Sequence, residues 1–171
     1  FLYAQGRILQ AAKGIPVWRQ KGIVLLMTAT GLSEGFAIFA LLLFFPGAAN
    51  LGSGVIATIL AMLVALRLFA WLSYRAALGK TGAPVASFRA LDRGFINLSL
   101  VPQIAILALV AFGVFIPTAL VLGAGLAILT GWAFKFTLIT KAAFNQGFAI
   151  NRMPARGAGK SSPGIKPGWI T

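Results

Sequence analysis

The chain has 171 residues, of which 59% are hydrophobic and 10% are charged, and its formal net charge is +13. Soluble domains are close to half apolar and about a quarter charged, and a chain of this length has too much surface to bury such an apolar excess in water. The composition indicates an integral membrane protein, and because the basic residues lie between apolar segments, it argues against a nucleic-acid-binding module.

The sequence contains no cysteine and no histidine. Disulfides, thiolate-held iron–sulfur clusters, histidine-ligated haem and the usual zinc sites each need one of these residues. The two acidic residues, Glu34 and Asp92, are too few for a carboxylate metal site. We therefore expect no metal, haem or iron–sulfur cluster on this chain, and any redox metal belongs to a partner.

The N-terminal segment is typical of the cytoplasmic end of a helix that begins earlier. Its apolar start is followed by Arg7 and Lys13, and Gly14 and Pro16 then interrupt the helix. The start at Phe1, without a methionine, predicts a fragment, a processed chain or an incomplete subunit.

Crossing about 30 Å of hydrocarbon takes about 20 helical residues, and four apolar segments are long enough. The apolar tract at 98–134 would be about 55 Å long as one helix, so Pro117 predicts a tight turn that divides it into two spans. The expected fold class is an all-α, polytopic transmembrane helix bundle. The spans are predicted at residues 22–45, 55–75, 95–116 and 118–140.

A basic tail, residues 141–171, follows the fourth span. Phe144 and Phe148 are four residues apart, which predicts a short helix that lies in the membrane interface. Pro154 and several glycines then end regular structure. We treat residues 1–171 as one membrane domain made of the end of an earlier helix, four spans and this interfacial C-terminal helix.

Basic residues occur on only one side of the predicted topology. The loop at 46–54 and the turn at Pro117 carry no charge, whereas both ends of the chain and the loop after the second span are basic. The positive-inside rule places the basic loops and both termini in the cytoplasm. Aromatic residues near these basic ends are predicted headgroup anchors. They are Trp18, Trp71, Tyr74 and Trp132.

Ionisable residues inside a span cost at least about 2.5 to 3.5 kcal/mol and need a partner or water. Glu34, in the first span, is a candidate proton acceptor at a quinone site or proton path, or else a structural carboxylate. Arg67, in the second span, pairs with Glu34 or contacts a quinone carbonyl, or else snorkels toward the headgroups. Asn97 and Gln103 begin the third span and hydrogen-bond either a headgroup pocket or a neighbouring helix.

Two further charged sites have simple interpretations. Lys135 lies in the fourth span, close enough to its cytoplasmic end for the long side chain to snorkel outward. Asp92 lies between Arg89 and Arg93, so we expect a loop ion pair, with docking of a partner as the alternative.

Two segments resemble a known family. They are LYAQGRILQAAKGIPVWRQ before the first span and FKFTLITKAAFNQGFAINRMPARG at the end of the last one. They resemble the membrane anchor subunits of molybdopterin and iron–sulfur oxidoreductases, of the dimethyl sulfoxide reductase anchor (DmsC) and NrfD polysulfide reductase type. The closing segment is most similar to the anchors associated with phenylacetyl-CoA:acceptor oxidoreductase. Family members have more spans than the four predicted here, so the chain would be the C-terminal part.

The resemblance implies a haem-free anchor in the inner (cytoplasmic) membrane of a bacterium or archaeon. Such an anchor passes electrons between menaquinone or ubiquinone and a ferredoxin-like iron–sulfur subunit, which is docked to a molybdopterin or tungstopterin catalytic subunit. The anchor is either non-catalytic or quinone-reactive. We expect Glu34 to relay protons and Arg67, Asn97 and Gln103 to line the quinone pocket.

Two alternatives from other classes stay open. The chain is a fragment of a proton-coupled transporter or permease, in which Glu34 couples proton movement to a solute. Otherwise it is a purely structural subunit for membrane assembly.

Overall fold

The computed structural model describes residues 1–44, 52–80, 83–93 and 100–143, and the backbone of 152–153 and 162–163. Within these ranges the helices are α1 (Leu2–Ala11), α2 (Pro16–Arg19), α3 (Gly22–Leu42), α4 (Ser53–Lys80), α5 (Val85–Asp92), α6 (Leu100–Phe112) and α7 (Pro117–Thr140). A short strand β1 (Arg152–Met153) pairs antiparallel with β2 (Ser162–Pro163). The all-α helix bundle predicted from the sequence is confirmed.

Four apolar helices, α3, α4, α6 and α7, form an up-down-up-down bundle. Going round the bundle, α3 packs against α4, α4 against α6, α6 against α7, and α7 against α3. Neighbouring helices are therefore antiparallel. Helix α1 lies outside this ring and runs antiparallel along α3, because Leu2 packs against Gly31 and Gly6 packs against Val24.

Helices α3, α4 and α7 are each long and apolar enough to cross a membrane, so the protein is embedded in a membrane. Helices α3 and α7 match the first and fourth predicted spans. Helix α4 has 28 residues and is about 42 Å long, so its last turns extend beyond the hydrocarbon. Helix α6 covers the predicted third span from Leu100 to Phe112, and residues 95–99 lie outside the described part of the chain.

The division of the long apolar tract at Pro117 is confirmed. Helix α6 ends at Phe112, and Pro117 is the first residue of α7, where the missing N–H of proline costs no hydrogen bond. The Ile116 amide donates to the Phe112 carbonyl at 2.9 Å and so closes the turn. A Cβ at Gly113 would lie 2.6 Å from the Cβ of Leu120, so this close approach of α6 and α7 requires glycine.

Buried apolar side chains form two clusters at opposite ends of the bundle. The cluster at the basic end includes Trp71 and Phe134, whose rings meet edge to face at 5.9 Å. The other cluster includes Leu60 and Ala124. Between the two clusters, the helices contribute buried polar side chains, and we call this region the polar layer. Its buried members include Ser33, Arg67, Gln103 and Thr130.

Two of the predicted headgroup anchors lie inside the bundle, so that prediction is wrong for them. Trp71 is 3% exposed and Tyr74 is fully buried. The Tyr74 hydroxyl donates to the Val17 carbonyl at 2.9 Å, and the Trp18 indole N–H donates to the Leu138 carbonyl at 3.0 Å. These rings combine apolar burial with a polar tip, and they fasten α2 to α4 and α7 at the basic end.

Some sequence predictions fall outside the described residues. They are the interfacial helix with Phe144 and Phe148, the site residue Asn97, and most of the loop at 46–54. The side chains of the tail beyond residue 143 also fall outside this part of the chain.

The chain has no native cysteine, so single cysteines can report which membrane face each end of the bundle occupies. We expect Lys80→Cys, at the end of α4, to react with a membrane-impermeant maleimide only from the cytoplasmic side. Phe115→Cys, in the α6–α7 turn, should react only from the opposite side. The cysteine-free chain is the control, and labelling of both cysteines from one side would contradict the bundle topology.

Candidate functional site

Arg67, on α4, is the centre of the polar layer. Its side chain is fully buried, and its guanidinium donates hydrogen bonds to all three other helices of the bundle. Nε donates to Oε1 of Gln103 on α6 at 3.2 Å. Nη1 donates to the Ala127 carbonyl on α7 at 2.9 Å and to Oγ of Ser33 on α3 at 3.5 Å. Nη2 donates to Oγ1 of Thr130 on α7 at 2.9 Å. One side chain thereby links four helices.

The hydroxyls of the polar layer are oriented to accept from Arg67. Oγ of Ser33 donates its own hydrogen to the Thr30 carbonyl at 2.9 Å. Oγ1 of Thr130 donates to the Leu126 carbonyl at 2.7 Å. Each hydroxyl donates its one hydrogen to a carbonyl of its own helix. Its lone pairs can therefore accept from the guanidinium, which has only donors.

The prediction that Arg67 snorkels toward the headgroups is wrong. Acceptors from three helices surround the guanidinium at one level of the bundle, so it has hydrogen-bond partners without reaching the membrane surface. Arg67 also does not form the predicted ion pair with Glu34, although the two charges attract each other. The role of Arg67 in a quinone pocket stays a prediction.

The partner of Glu34 is Lys135 on α7. Nζ of Lys135 donates to Oε2 of Glu34 in a salt bridge. The side chains are 25% and 15% exposed, respectively, so the pair is shielded but not enclosed. The expectation that Glu34 has a partner is confirmed, whereas the expectation that Lys135 snorkels is wrong, because a carboxylate at the same level neutralises the ammonium inside the bundle.

Gly131 lets the carboxylate lie directly against α7. A Cβ at Gly131 would collide with the carboxylate of Glu34. Gly131 and Lys135 are four residues apart and therefore share one face of α7. A glycine and a lysine on one face were the available signal for this site, but the sequence does not say which helix that face meets.

Four buried side-chain polar atoms have no hydrogen-bond partner among the described residues. They are Oγ1 of Thr28, Oγ1 of Thr30, Oε1 of Glu34 and Nε2 of Gln103. Leaving such a group unpaired costs about 1 to 3 kcal/mol, so these atoms are places where water, a ligand or a partner group is expected. Two of them belong to site residues predicted from the sequence.

Two grooves of about 290 Å³ each lie next to the polar layer. We call the first the Lys135 groove, because it lies between α1, α3 and α7 and is lined by Gln5, Ile8, Leu9, Met27, Lys135 and Ile139. We call the second the Trp132 groove, because it lies between α6 and α7 and its lining includes Pro102, Ile106, Leu126, Leu129, Thr130 and Trp132. Both grooves have mainly apolar walls.

Asp92 pairs with Arg75 and not with its flanking arginines. Nε of Arg75 donates to Oδ1 of Asp92 at 3.0 Å, and Nη2 donates to Oδ2. The guanidinium also lies over the Phe88 ring, 4.3 Å from its centroid. The predicted ion pair of Asp92 is confirmed, but its partner is Arg75, because α5 turns Asp92 toward the last turns of α4. The pair is exposed and contributes at most about 1 kcal/mol.

The bundle brings together three of the four site residues predicted from the sequence: Glu34, Arg67 and Gln103. Arg67 and Gln103 are hydrogen-bonded to each other, and Glu34 follows Ser33, which also accepts from Arg67.

No protein-family model, curated protein or solved structure matches the chain. The resemblance to oxidoreductase anchors therefore stays a prediction.

Replacing Arg67 by methionine should destabilise the bundle. Four hydrogen bonds are lost, and at about 0.6 kcal/mol for each such bond in a membrane protein the free energy of unfolding should fall by about 2 kcal/mol. Arg75→Met is the control, because it breaks an exposed ion pair and should cost less than about 1 kcal/mol. Unfolding in mixed micelles with increasing dodecyl sulfate measures both free energies. An equal loss in the two variants would contradict the role of Arg67 in linking the four helices.

The ion pair should respond unequally to the loss of each partner. In Glu34→Gln the long Lys135 side chain can still reach toward water, whereas in Lys135→Gln the short Glu34 side chain stays buried without a partner. We expect Lys135→Gln to lower the free energy of unfolding more than Glu34→Gln, and the double variant to recover part of that loss. Additive single effects would show that the two side chains do not interact.

Proposed function

We propose that this chain is the quinone-interacting membrane subunit of a multi-subunit oxidoreductase. The observation that carries the proposal is the Glu34–Lys135 ion pair, which lies inside an apolar bundle and whose lysine lines a groove with mainly apolar walls. A membrane bundle can be held together without an ionisable pair, and ionisable residues at this depth mark ligand or proton sites.

The residues around the ion pair fit a quinone. The apolar walls of the Lys135 groove suit its ring and isoprenoid tail, and ligand sites are mostly apolar with a few placed polar groups. Lys135 offers a charged hydrogen-bond donor for a carbonyl oxygen. Quinone reduction takes up two electrons and two protons and quinol oxidation releases them, so the site also needs a group that exchanges protons.

Glu34 is the proton-exchanging group in this proposal. Its Oε2 is held by Lys135, and its Oε1 is buried against Gly131 with no partner among the described residues. Oε1 is the oxygen that takes and gives the proton in this proposal. Arg67 acts as a positioning residue, because it donates a hydrogen bond to Ser33 and so helps to hold α3 in place beside Glu34. Gln103 keeps its Nε2 available for a hydrogen bond.

Electrons must enter or leave the site through a partner that carries metal clusters, because the chain lacks the cysteine and histidine that bind them. The proposed partner is a ferredoxin-like iron–sulfur subunit docked to a molybdopterin or tungstopterin catalytic subunit. The basic end of the bundle is suited to an acidic partner surface. The basic residues at this end include Arg7, Lys13, Arg19, Lys21, Lys80, Arg89, Arg93 and Lys141.

The resemblance to oxidoreductase anchors supplies the membrane proposed for the complex, and the basic residues supply its orientation. The bundle lies in the inner (cytoplasmic) membrane of a bacterium or archaeon, with the basic loops and both ends of this chain in the cytoplasm. In this orientation the backbone of Lys135 lies in the cytoplasmic half of the bilayer, about 8 Å from the end of α7 at Thr140.

Glu34→Gln in the assembled complex tests the proposal. Glutamine keeps the size of the side chain but cannot exchange a proton, so quinol-dependent turnover should fall by roughly a hundredfold or more, and its pH dependence should change shape. Asp92→Asn is the matched control, because it removes the other carboxylate of the chain and should leave turnover near that of the unsubstituted complex. Unchanged turnover across pH in Glu34→Gln would remove Glu34 from the mechanism.

A further inference from the structure

We infer that the Lys135 groove binds the quinone headgroup, with the Lys135 ammonium and the Gln5 amide as hydrogen-bond donors to its carbonyl oxygens. This inference rests on the proposed function and adds the place and the contacts. The groove combines two polar side chains with four apolar ones, Ile8, Leu9, Met27 and Ile139. A molecule with an oxygen-bearing head and a hydrocarbon tail matches that division.

The Trp132 groove has a similar volume but lacks the chemistry for the headgroup. Its lining holds no titratable residue. The hydroxyl of Thr130 already accepts from Arg67 and donates to the Leu126 carbonyl, which leaves the Trp132 indole N–H as the donor available there. Of these two grooves, only the Lys135 groove is lined by a member of the Glu34–Lys135 ion pair.

The charge of the Lys135 groove favours a neutral ligand. An unpaired ammonium in lipid would attract a phosphate or carboxylate headgroup. Here Lys135 is already neutralised by Glu34, so the pair offers a strong hydrogen-bond donor without a net charge. A quinone carbonyl is a neutral acceptor, and therefore it gains a hydrogen bond without adding a charge to the bundle.

Helix α1 brings Gln5 to the groove because it approaches α3 closely. A Cβ at Gly6 would lie 2.8 Å from the Cα of Val24, so glycine is needed for the two backbones to meet at this point. The side chain of Gln5 then lines the same groove as Lys135. Ile8 and Ile139 continue the groove toward the basic end, where the proposed metal-bearing partner docks.

Photolabelling tests the site in the assembled complex with an azidoquinone that carries an isoprenoid tail. In the unsubstituted complex, peptide mapping should find the label on α1 or on the Lys135 face of α7. Leu9→Trp fills the Lys135 groove, and the matched control Leu129→Trp fills the Trp132 groove. We expect Leu9→Trp and Lys135→Gln each to lower labelling and copurified quinone at least tenfold, and Leu129→Trp to leave both unchanged.

The outcomes separate this inference from the proposed function. Label on Leu129 or Trp132, or loss of labelling in Leu129→Trp alone, would overturn the Lys135 groove while quinone binding stands. A phospholipid that copurifies in the groove and is not displaced by quinone would also overturn it. No labelling and no copurified quinone anywhere in the complex would overturn the proposed function itself. If Leu9→Trp does not assemble, the test of the Lys135 groove rests on the labelled peptides of the unsubstituted complex and on the loss of labelling in Lys135→Gln.

Discussion

The guanidinium of Arg67 is the constraint on which the rest of the bundle depends. In hydrocarbon its donors have no water, so protein must supply the acceptors, and they come from α3, α6 and α7 together. Apolar packing alone leaves helices in lipid free to rotate or slide, because lipid tails are as apolar as leucine. The hydrogen bonds of Arg67 fix the level at which Ser33 and Thr130 face each other. Glu34 and Gly131 follow these two residues directly, and Lys135 lies one turn further along α7.

The polar layer therefore has a closed part and an open part. The hydrogen bonds of Arg67 all go to protein acceptors. The hydroxyls of Ser33 and Thr130 both accept from Arg67 and donate to carbonyls of their own helices. Around Glu34 the arrangement is incomplete, because the buried Oε1 has no partner among the residues described and Lys135 lines a groove. The closed part holds the helices in place, and the open part is where proton exchange with a membrane-dissolved ligand is proposed.

The sequence predicted the helix bounds and the break between spans, which depend on local chemistry. It did not predict which side chains meet across helices, because that depends on how the helices pair. The starts and ends near Gly22 and Thr140 follow from apolar length, and the break at Pro117 follows from the missing amide hydrogen of proline. Glu34 and Lys135 are 101 residues apart, and nothing local says that they meet. The position of Trp71 near the basic end of its span predicts its depth in the membrane. It does not predict which side of α4 faces the bundle interior, and Trp71 lies on that side.

The single glutamate of the chain allows one direct measurement of this arrangement. Glutamate labelled with ¹³C at Cδ reports only on Glu34, and lysine labelled with ¹⁵N at Nζ can be detected next to it by rotational-echo double-resonance solid-state NMR in lipid bilayers. We predict strong dephasing of the Glu34 carboxylate signal by a lysine nitrogen within about 4 Å, the range of a salt bridge, and loss of that dephasing in Lys135→Met. A carboxylate signal that lysine nitrogen does not dephase would contradict the alignment of α3 and α7 at the polar layer.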